Sequence, residues 1–163
     1  MAAEESFEEA FDALFPRAER LAYRILGNWA AAEDAAAEAM ARAYANWRKV
    51  GRLPHRDGWV LRVATNVAID AYRRRRPHVE ATEPADVAET ATLRVALASA
   101  LASLPRRQRA VIALHHLDGM TEQEVAQALG LSLGTVKTHA RRGAEALRLR
   151  LGDSFKEVSI GTD

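Results

Sequence analysis

Apolar residues recur at helical spacing along almost the whole chain, and polar or glycine-containing breaks divide them into segments. Over residues 7–26, Phe7, Phe11, Leu14, Ala18, Leu21, Ala22 and Ile25 share one face, with Pro16 expected to kink or restart the helix and Gly27-Asn28 to end it. A second helix over about 30–48 sets Ala36, Met40, Ala43, Tyr44 and Trp47 on one side and Asp34, Glu38 and Arg42 on the other. By spacing alone that charged stripe is a solvated face, with a Glu38–Arg42 pair worth about 0.2–0.5 kcal/mol. Ala37, Ala41 and Ala45 beside it allow another surface to approach closely. The loop KVGRLPHRD follows, and Asp57 is placed to cap a helix over 58–76 that buries Trp59, Val60, Val63, Ala64, Val67 and Ala71. The outer stripe of that helix is Arg62, Thr65, Asn66, Ile69 and Arg73, and it ends in four arginines before Pro77. Residues 77–92 hold two prolines and four acids without period, which reads as a mobile linker. Leu93, Leu97, Ala100, Leu101 and Leu104 then mark a short helix, and Pro105 opens another with Val111, Leu114 and Leu117 inward.

The sharpest local signal lies over residues 121–151. Thr121 with Glu124 three residues on is a capping box, and the helix it starts carries Val125, Ala126 and Leu129 before Gly130 ends it. Ser132 can cap a second helix with Val136, Ala140, Gly143, Ala144, Leu147 and Leu151 on its apolar face. Two capped helices joined by a glycine-containing turn make a helix-turn-helix. Opposite the apolar face stand Gly134, Thr135, Thr138, Arg141 and Arg142, with Lys137 on the flank. Small residues at the helix start permit close approach to a groove, while hydroxyls and guanidinium groups reach phosphates and base edges. Any αα-hairpin has polar residues outside; here caps, turn and a basic outer face coincide, which favours DNA.

Composition narrows the class. With 163 residues, 48% hydrophobic, only 6% aromatic and rich in alanine, the chain is expected to be all-α and to form one or two small domains. It has no cysteine, so disulfides and thiolate zinc sites are excluded within it. His115-His116 invites a metal reading, but adjacent helical residues point about 100° apart and no acid or thiol accompanies them, so neither metal nor cofactor is expected. No apolar run is long enough to span a bilayer, and the acidic start lacks the order of a secretory signal, which makes the cytoplasm the expected location. The net charge of +1 divides into +2 over residues 1–76, −3 over 77–103, +4 over 104–151 and −2 over 152–163. Two basic blocks around an acidic stretch suit two modules on a polyanion with a connector that it repels. Arg73, Arg74, Arg75 and Arg76 favour the helix macrodipole, yet their mutual repulsion is better relieved by phosphates.

Three stretches, AAEDAAAEAMARAYANW, GWVLRVATNVAIDAYRRRRP and LPRRQRAVIALHHLDGMTEQEVAQALGLSLGTVKTHARRGAEALR, together resemble the extracytoplasmic-function sigma factors of bacterial RNA polymerase. The resemblance covers nearly the whole chain, and the order of the three is more specific than any one. It implies two small helical domains, residues 1–76 and 93–163, joined by a flexible acidic linker over 77–92, the second domain bearing the helix-turn-helix. It further implies that Asp34, Glu38 and Arg42 lie at the interface with core RNA polymerase. Arg52, His55, Arg56, Asn66 and Asp70, with Arg73, Arg74, Arg75 and Arg76 on adjacent phosphates, would handle the minus-ten element as melted non-template strand. Thr135, Lys137, Thr138, Arg141 and Arg142 would read the minus-thirty-five element as duplex. An anti-sigma factor is a further implied partner, although nothing in this sequence identifies one. One departure stands out: the family commonly has Gln where this chain has Ala37, which removes an amide from the polymerase face. The short stretch after the helix-turn-helix leads us to expect no appended sensory domain.

Two other classes compete. A transcriptional regulator using the helix-turn-helix on duplex DNA would dimerise through its N-terminal half, but a dimerisation domain has no need of the loop and arginine-ended helix of residues 49–76. A hydrolase built on His115 and His116 lacks a converging carboxylate set and a phosphate-binding glycine loop. The expected role is therefore binding rather than catalysis.

Overall fold

The computed structural model describes residues 6–75 and 85–152. Arg76, residues 77–84 of the expected linker and the stretch 153–163 lie outside the described residues. The elements are α1 (Phe7–Leu26), α2 (Trp29–Ala45), the single turn α3 (Trp47–Val50), α4 (Arg56–Arg75), α5 (Ala85–Ser103), α6 (Arg106–Ile112) with a π-helical turn (Ala113–Leu117) at its end, α7 (Glu122–Leu129) and α8 (Leu133–Leu151). No strand occurs among the described residues.

The N-terminal elements follow their local chemistry. Ser6 and Glu9 form a reciprocal capping box at the start of α1, whose buried stripe is Ala10, Leu14, Ala18, Leu21, Ala22 and Ile25. The helix runs on through Pro16 instead of restarting there. Proline forgoes the bond to the carbonyl of Asp12, but the stripe on both sides packs on α2 and α4 and keeps the two halves in line. Gly27 closes α1 with a φ of 66°, donating its N–H to the carbonyl of Tyr23, and Asn28 caps α2 through the N–H of Ala31. The buried face of α2 is made almost entirely of alanine, with Met40, so its backbone comes close to α1 and α4. Tyr44, expected inside, is exposed; its ring instead packs edge-on against Phe7, with centroids 4.9 Å apart.

Helix α4 departs most from its expected face. Thr65 and Ile69, assigned to the outside, are buried, as are Leu61 and Ala68. The reason is that α4 is covered on two sides: α1 and α2 pack on one, α5, α7 and the π turn on the other. Thr65 satisfies its hydroxyl within the helix by donating to the carbonyl of Leu61 at 2.9 Å. Asp57 lies inside the first turn of α4 and accepts from Arg17 of α1.

In the C-terminal elements α5 begins at Ala85, well before Leu93. The Ala- and Glu-containing stretch ADVAETAT has adequate intrinsic helicity without apolar period, so spacing alone missed it. Helices α6, α7 and α8 pack around Val111, Leu114, Val125, Val136 and Leu147. Thr121 and Glu124 form the expected capping box, and Gly130 ends α7 at a φ of 64°. Gly143 lets α8 press on α6: a methyl group there would stand 2.6 Å from Ile112 Cγ1. All of the buried apolar residues but Ala31 and Ala110 form one cluster that continues from α1 to α8 through both halves of the chain.

Candidate nucleic-acid interface

The outer face of α8 is built by its start. Ser132 caps the helix by accepting from the N–H of Thr135, and its hydroxyl pairs with that of Thr135 at 2.8 Å. Thr138 donates to the carbonyl of Gly134. Lys137, Arg141 and Arg142 are exposed, and among the described residues none makes a hydrogen bond or ion pair. Three unpaired cations beside two threonines on one face can bind phosphates and reach base edges without first breaking internal bonds.

The residues expected at melted DNA are spread along the α3–α4 loop and α4, a helix about 30 Å long. Arg52 is exposed; Arg56 donates to the carbonyl of Gly51 at 3.2 Å and lies over the Trp47 ring at 5.9 Å. His55 and Arg56 line a groove opposite Glu124 and Gln127 of α7. Asn66 sits midway, half-buried, accepting from Arg109 of α6 at 3.4 Å. Trp59 and Arg62 line a second groove with Asn66, Arg106 and Arg107. At the far end Arg73 donates to the carbonyl of Ala102 at 2.8 Å, and Arg74 to that of Asp70 at 3.3 Å.

The α2 stripe is exposed as expected, with Glu38 and Arg42 paired at 2.9 Å. One shallow groove brings Asp34, Glu38 and Arg42 together with Asp70, Arg74 and Arg75 of α4. The expected polymerase face and the arginine end of α4 are thus adjoining walls of one surface, an arrangement that separate stripes on two helices do not reveal.

Three arginines that sequence reasoning left unassigned join the halves. Arg17 bridges Asp57 at 3.1 Å and Asp118 at 2.8 Å. Desolvation works against its charge, but the hydrogen bond and attraction from Asp118, then those from Asp57, more than offset it and raise its pKa. Arg24 donates to the carbonyl of Leu117. Arg109, only 6% exposed, donates to the carbonyls of Leu101, Ala102 and Leu104 as well as to Asn66. Burial, then the neighbouring Arg73 and Arg106, lower its pKa. Each is one of several arginines on its helix, and nothing in its neighbourhood in the sequence marks its distant partner.

Comparison with known proteins agrees with this geometry. The family model for Sigma-70 region 2 matches residues 10–78, and that for Sigma-70 region 4 matches residues 94–147. The ECF RNA polymerase sigma factor SigW of Bacillus subtilis is 32% identical, over 92% of this chain and 91% of its own. The chain belongs to the ECF sigma factors. As a sigma factor it binds bacterial core RNA polymerase and directs promoter recognition. SigL of Mycobacterium tuberculosis, another ECF sigma factor, is 35% identical over 81% of each chain. The fold is shared with CnrH, solved in complex with the cytosolic domain of CnrY, at a TM-score of 0.58 and 24% identity over 88% of this chain and 85% of that one. It is shared also with RpoE of Bartonella quintana, solved with the anti-sigma factor NepR, at a TM-score of 0.55 and 19% identity over 90% and 97%. No helix of this sigma factor, among its described residues, is long and apolar enough to cross a membrane.

Proposed function

We propose that this sigma factor divides its work among three surfaces. The α2 stripe of Asp34, Glu38 and Arg42 docks on core polymerase. Thr135, Lys137, Thr138, Arg141 and Arg142 of α8 read the minus-thirty-five element as duplex. Arg52, His55, Arg56, Asn66 and Asp70 take the melted non-template strand of the minus-ten element, while Arg73, Arg74, Arg75 and Arg76 hold neighbouring phosphates. In this division residues 1–76 and 93–163 are the two functional units, with 77–92 between them. The role is one of binding, in the cytoplasm, with no cofactor: binding energy drives the opening of the duplex. An anti-sigma factor is a further partner in this reading, since RpoE of Bartonella quintana, which shares the fold, is solved with the anti-sigma factor NepR.

The observation that carries the proposal is the capped helix α8 with Lys137, Arg141 and Arg142 unpaired on its outer face. The test adds the purified chain to sigma-free bacterial core polymerase with a genomic promoter library and maps unpaired thymines with permanganate. New start sites with an open bubble upstream are expected, and Glu38→Lys is expected to abolish them while leaving duplex binding by α8 intact. Duplex binding with neither core dependence nor opening would overturn the proposal. A gain of transcription in Ala37→Gln would mark that position as part of the polymerase face.

A further inference from the structure

One cavity shares only Arg75 with the surfaces assigned above to polymerase and DNA. It measures about 240 Å³ and lies where the ends of α1 and α4 meet the middle of α5. Ile25, Leu26, Tyr72 and Val95 give it apolar walls, and Arg75 of α4 and Arg94 of α5 are its charged members. Among the described residues no carboxylate lines it. Apolar walls with a few convergent polar groups are the usual form of a small-molecule site. Arg94 is held in a built seat. Its guanidinium lies over the Tyr23 ring, 4.7 Å from the centroid, and Tyr23 is stacked in turn on Trp29, with centroids 3.9 Å and planes 11° apart. Its stem crosses Gly27, where a methyl group would stand 2.9 Å from Arg94 Cδ and where a φ of 66° favours glycine. These contacts fix the side chain without using its N–H donors, and Arg94 makes no hydrogen bond or ion pair among the described residues. Arg75 is exposed and likewise makes none, although it also borders the groove that holds Asp34, Glu38 and Asp70.

Two guanidinium groups at one apolar cavity repel each other and gain nothing from its walls. A bare inorganic anion would relieve the repulsion but leave the walls against water, and a neutral apolar molecule would cover the walls but leave both cations without a partner. A molecule that carries both chemistries satisfies the whole site. The planar fork of arginine matches a carboxylate through two parallel hydrogen bonds. The volume equals that of about eight water molecules at roughly 30 Å³ each, which admits a small organic acid and no nucleotide. We propose that this cavity binds a small monocarboxylate with an apolar body, the carboxylate on Arg94 and Arg75 and the body between Ile25, Leu26, Tyr72 and Val95. Binding there requires none of the DNA roles assigned above. Ile25, Leu26 and Tyr72 belong to the stretch matched by Sigma-70 region 2, and Arg94 and Val95 to that matched by region 4, so the ligand touches both units at once. The factor thereby has a place to sense a small acid directly.

The test is isothermal titration calorimetry of the full chain with hexanoate and with phenylacetate. Acetate and 1-hexanol serve as controls that each lack one half of the chemistry. Two temperatures are used, because burial of an apolar body changes the heat capacity and cannot leave the heat silent at both. Saturable binding of each acid is expected, about tenfold or more tighter than either control. Arg94→Met keeps the stem on Gly27 and removes the charge; it is expected to weaken both acids about tenfold or more while leaving 1-hexanol unchanged, and Arg94→Lys is expected to restore part of the loss. Val95→Phe fills the cavity and is expected to abolish binding of acids and alcohol alike; if it fails to fold by circular dichroism, the two Arg94 variants decide alone. Acetate or 1-hexanol binding as tightly as hexanoate, or acids that bind Arg94→Met as well as the wild type, would overturn the proposal. No binding to the wild type would overturn it as well, and acids that then bind a Glu80→Gln, Glu83→Gln double variant would assign the cavity to the chain's own carboxylates.

Discussion

The two helices proposed to meet DNA hold their polar groups in opposite states. On α8, Lys137, Arg141 and Arg142 point into water with no partner among the described residues. On α4, Asn66, Arg73 and Arg74 are engaged by Arg109, by the carbonyl of Ala102 and by that of Asp70. In the proposed role phosphates would meet bare cations on α8, whereas at Asn66, Arg73 and Arg74 of α4 nucleic acid would have to displace internal partners. Composition does not separate the two faces; what differs is which other surface the fold lays against each.

The sharpest way to break the contrast is to exchange attention between Arg109 and Arg141, a buried and an exposed arginine of the same half. Arg109→Ala leaves the carbonyl of Leu104 without its side-chain donor and that of Leu101 with only the N–H of Leu104, in a site closed to water, and a loss of about 2–4 kcal/mol is expected by chemical denaturation. Arg141→Ala touches no internal bond and should move stability by less than about 0.5 kcal/mol. Its effect belongs to DNA: a loss of about 1–3 kcal/mol at one base pair of the upstream element if it reads a base edge, or a uniform loss across sequences if it touches phosphate. Competition binding with single-substitution duplexes distinguishes the two. An Arg109→Ala chain as stable as the wild type would remove the physical difference between the faces.

The helix-turn-helix was legible in the amino acids because its signals are local. Thr121, Glu124, Gly130 and Ser132 each act on backbone within a few residues, and each does in the structure what its chemistry predicts. The α2 stripe was legible for the same reason, since Glu38 and Arg42 meet one turn apart. Long-range matters were not. Thr65 and Ile69 are inside because a second layer covers α4, and no periodicity within one helix counts the layers around it. Arg17 and Asp118 are 101 positions apart, and nothing in either neighbourhood marks the other. Tyr44 erred in the opposite direction: its apolar ring predicted burial, but one edge-on contact with Phe7 leaves most of it in water.

The smallest effect concerns pH and refines the comparison within the C-terminal half. Burial, then the nearby charges of His115 and Arg148, hold the His116 pKa below its ordinary 6.5. The folded chain then binds fewer protons than the unfolded chain between that lowered value and 6.5, so stability rises with pH through this window, falls as the solution is acidified through it, and levels off below it. Melting temperatures taken from about pH 7.5 down to pH 5 should decline less steeply in His116→Gln than in the wild type. Equal slopes would show that His116 does not carry the dependence.

The π-helical turn at Ala113–Leu117 has one more consequence. It closes with the Asp118 N–H on the carbonyl of Ala113, five residues back, which is an α-helix carrying one inserted residue. One residue in a helix is a rotation of about 100°. The inserted residue thus works as a phase adjustment: remove it, and everything after the turn swings by more than a quarter of a revolution, taking the Asp118 carboxylate away from Arg17. The helix-turn-helix would keep its own internal form and lose its bearing on the rest of the molecule. Whether Asp118 meets Arg17 is therefore set by an integer, the number of residues in a single turn of helix.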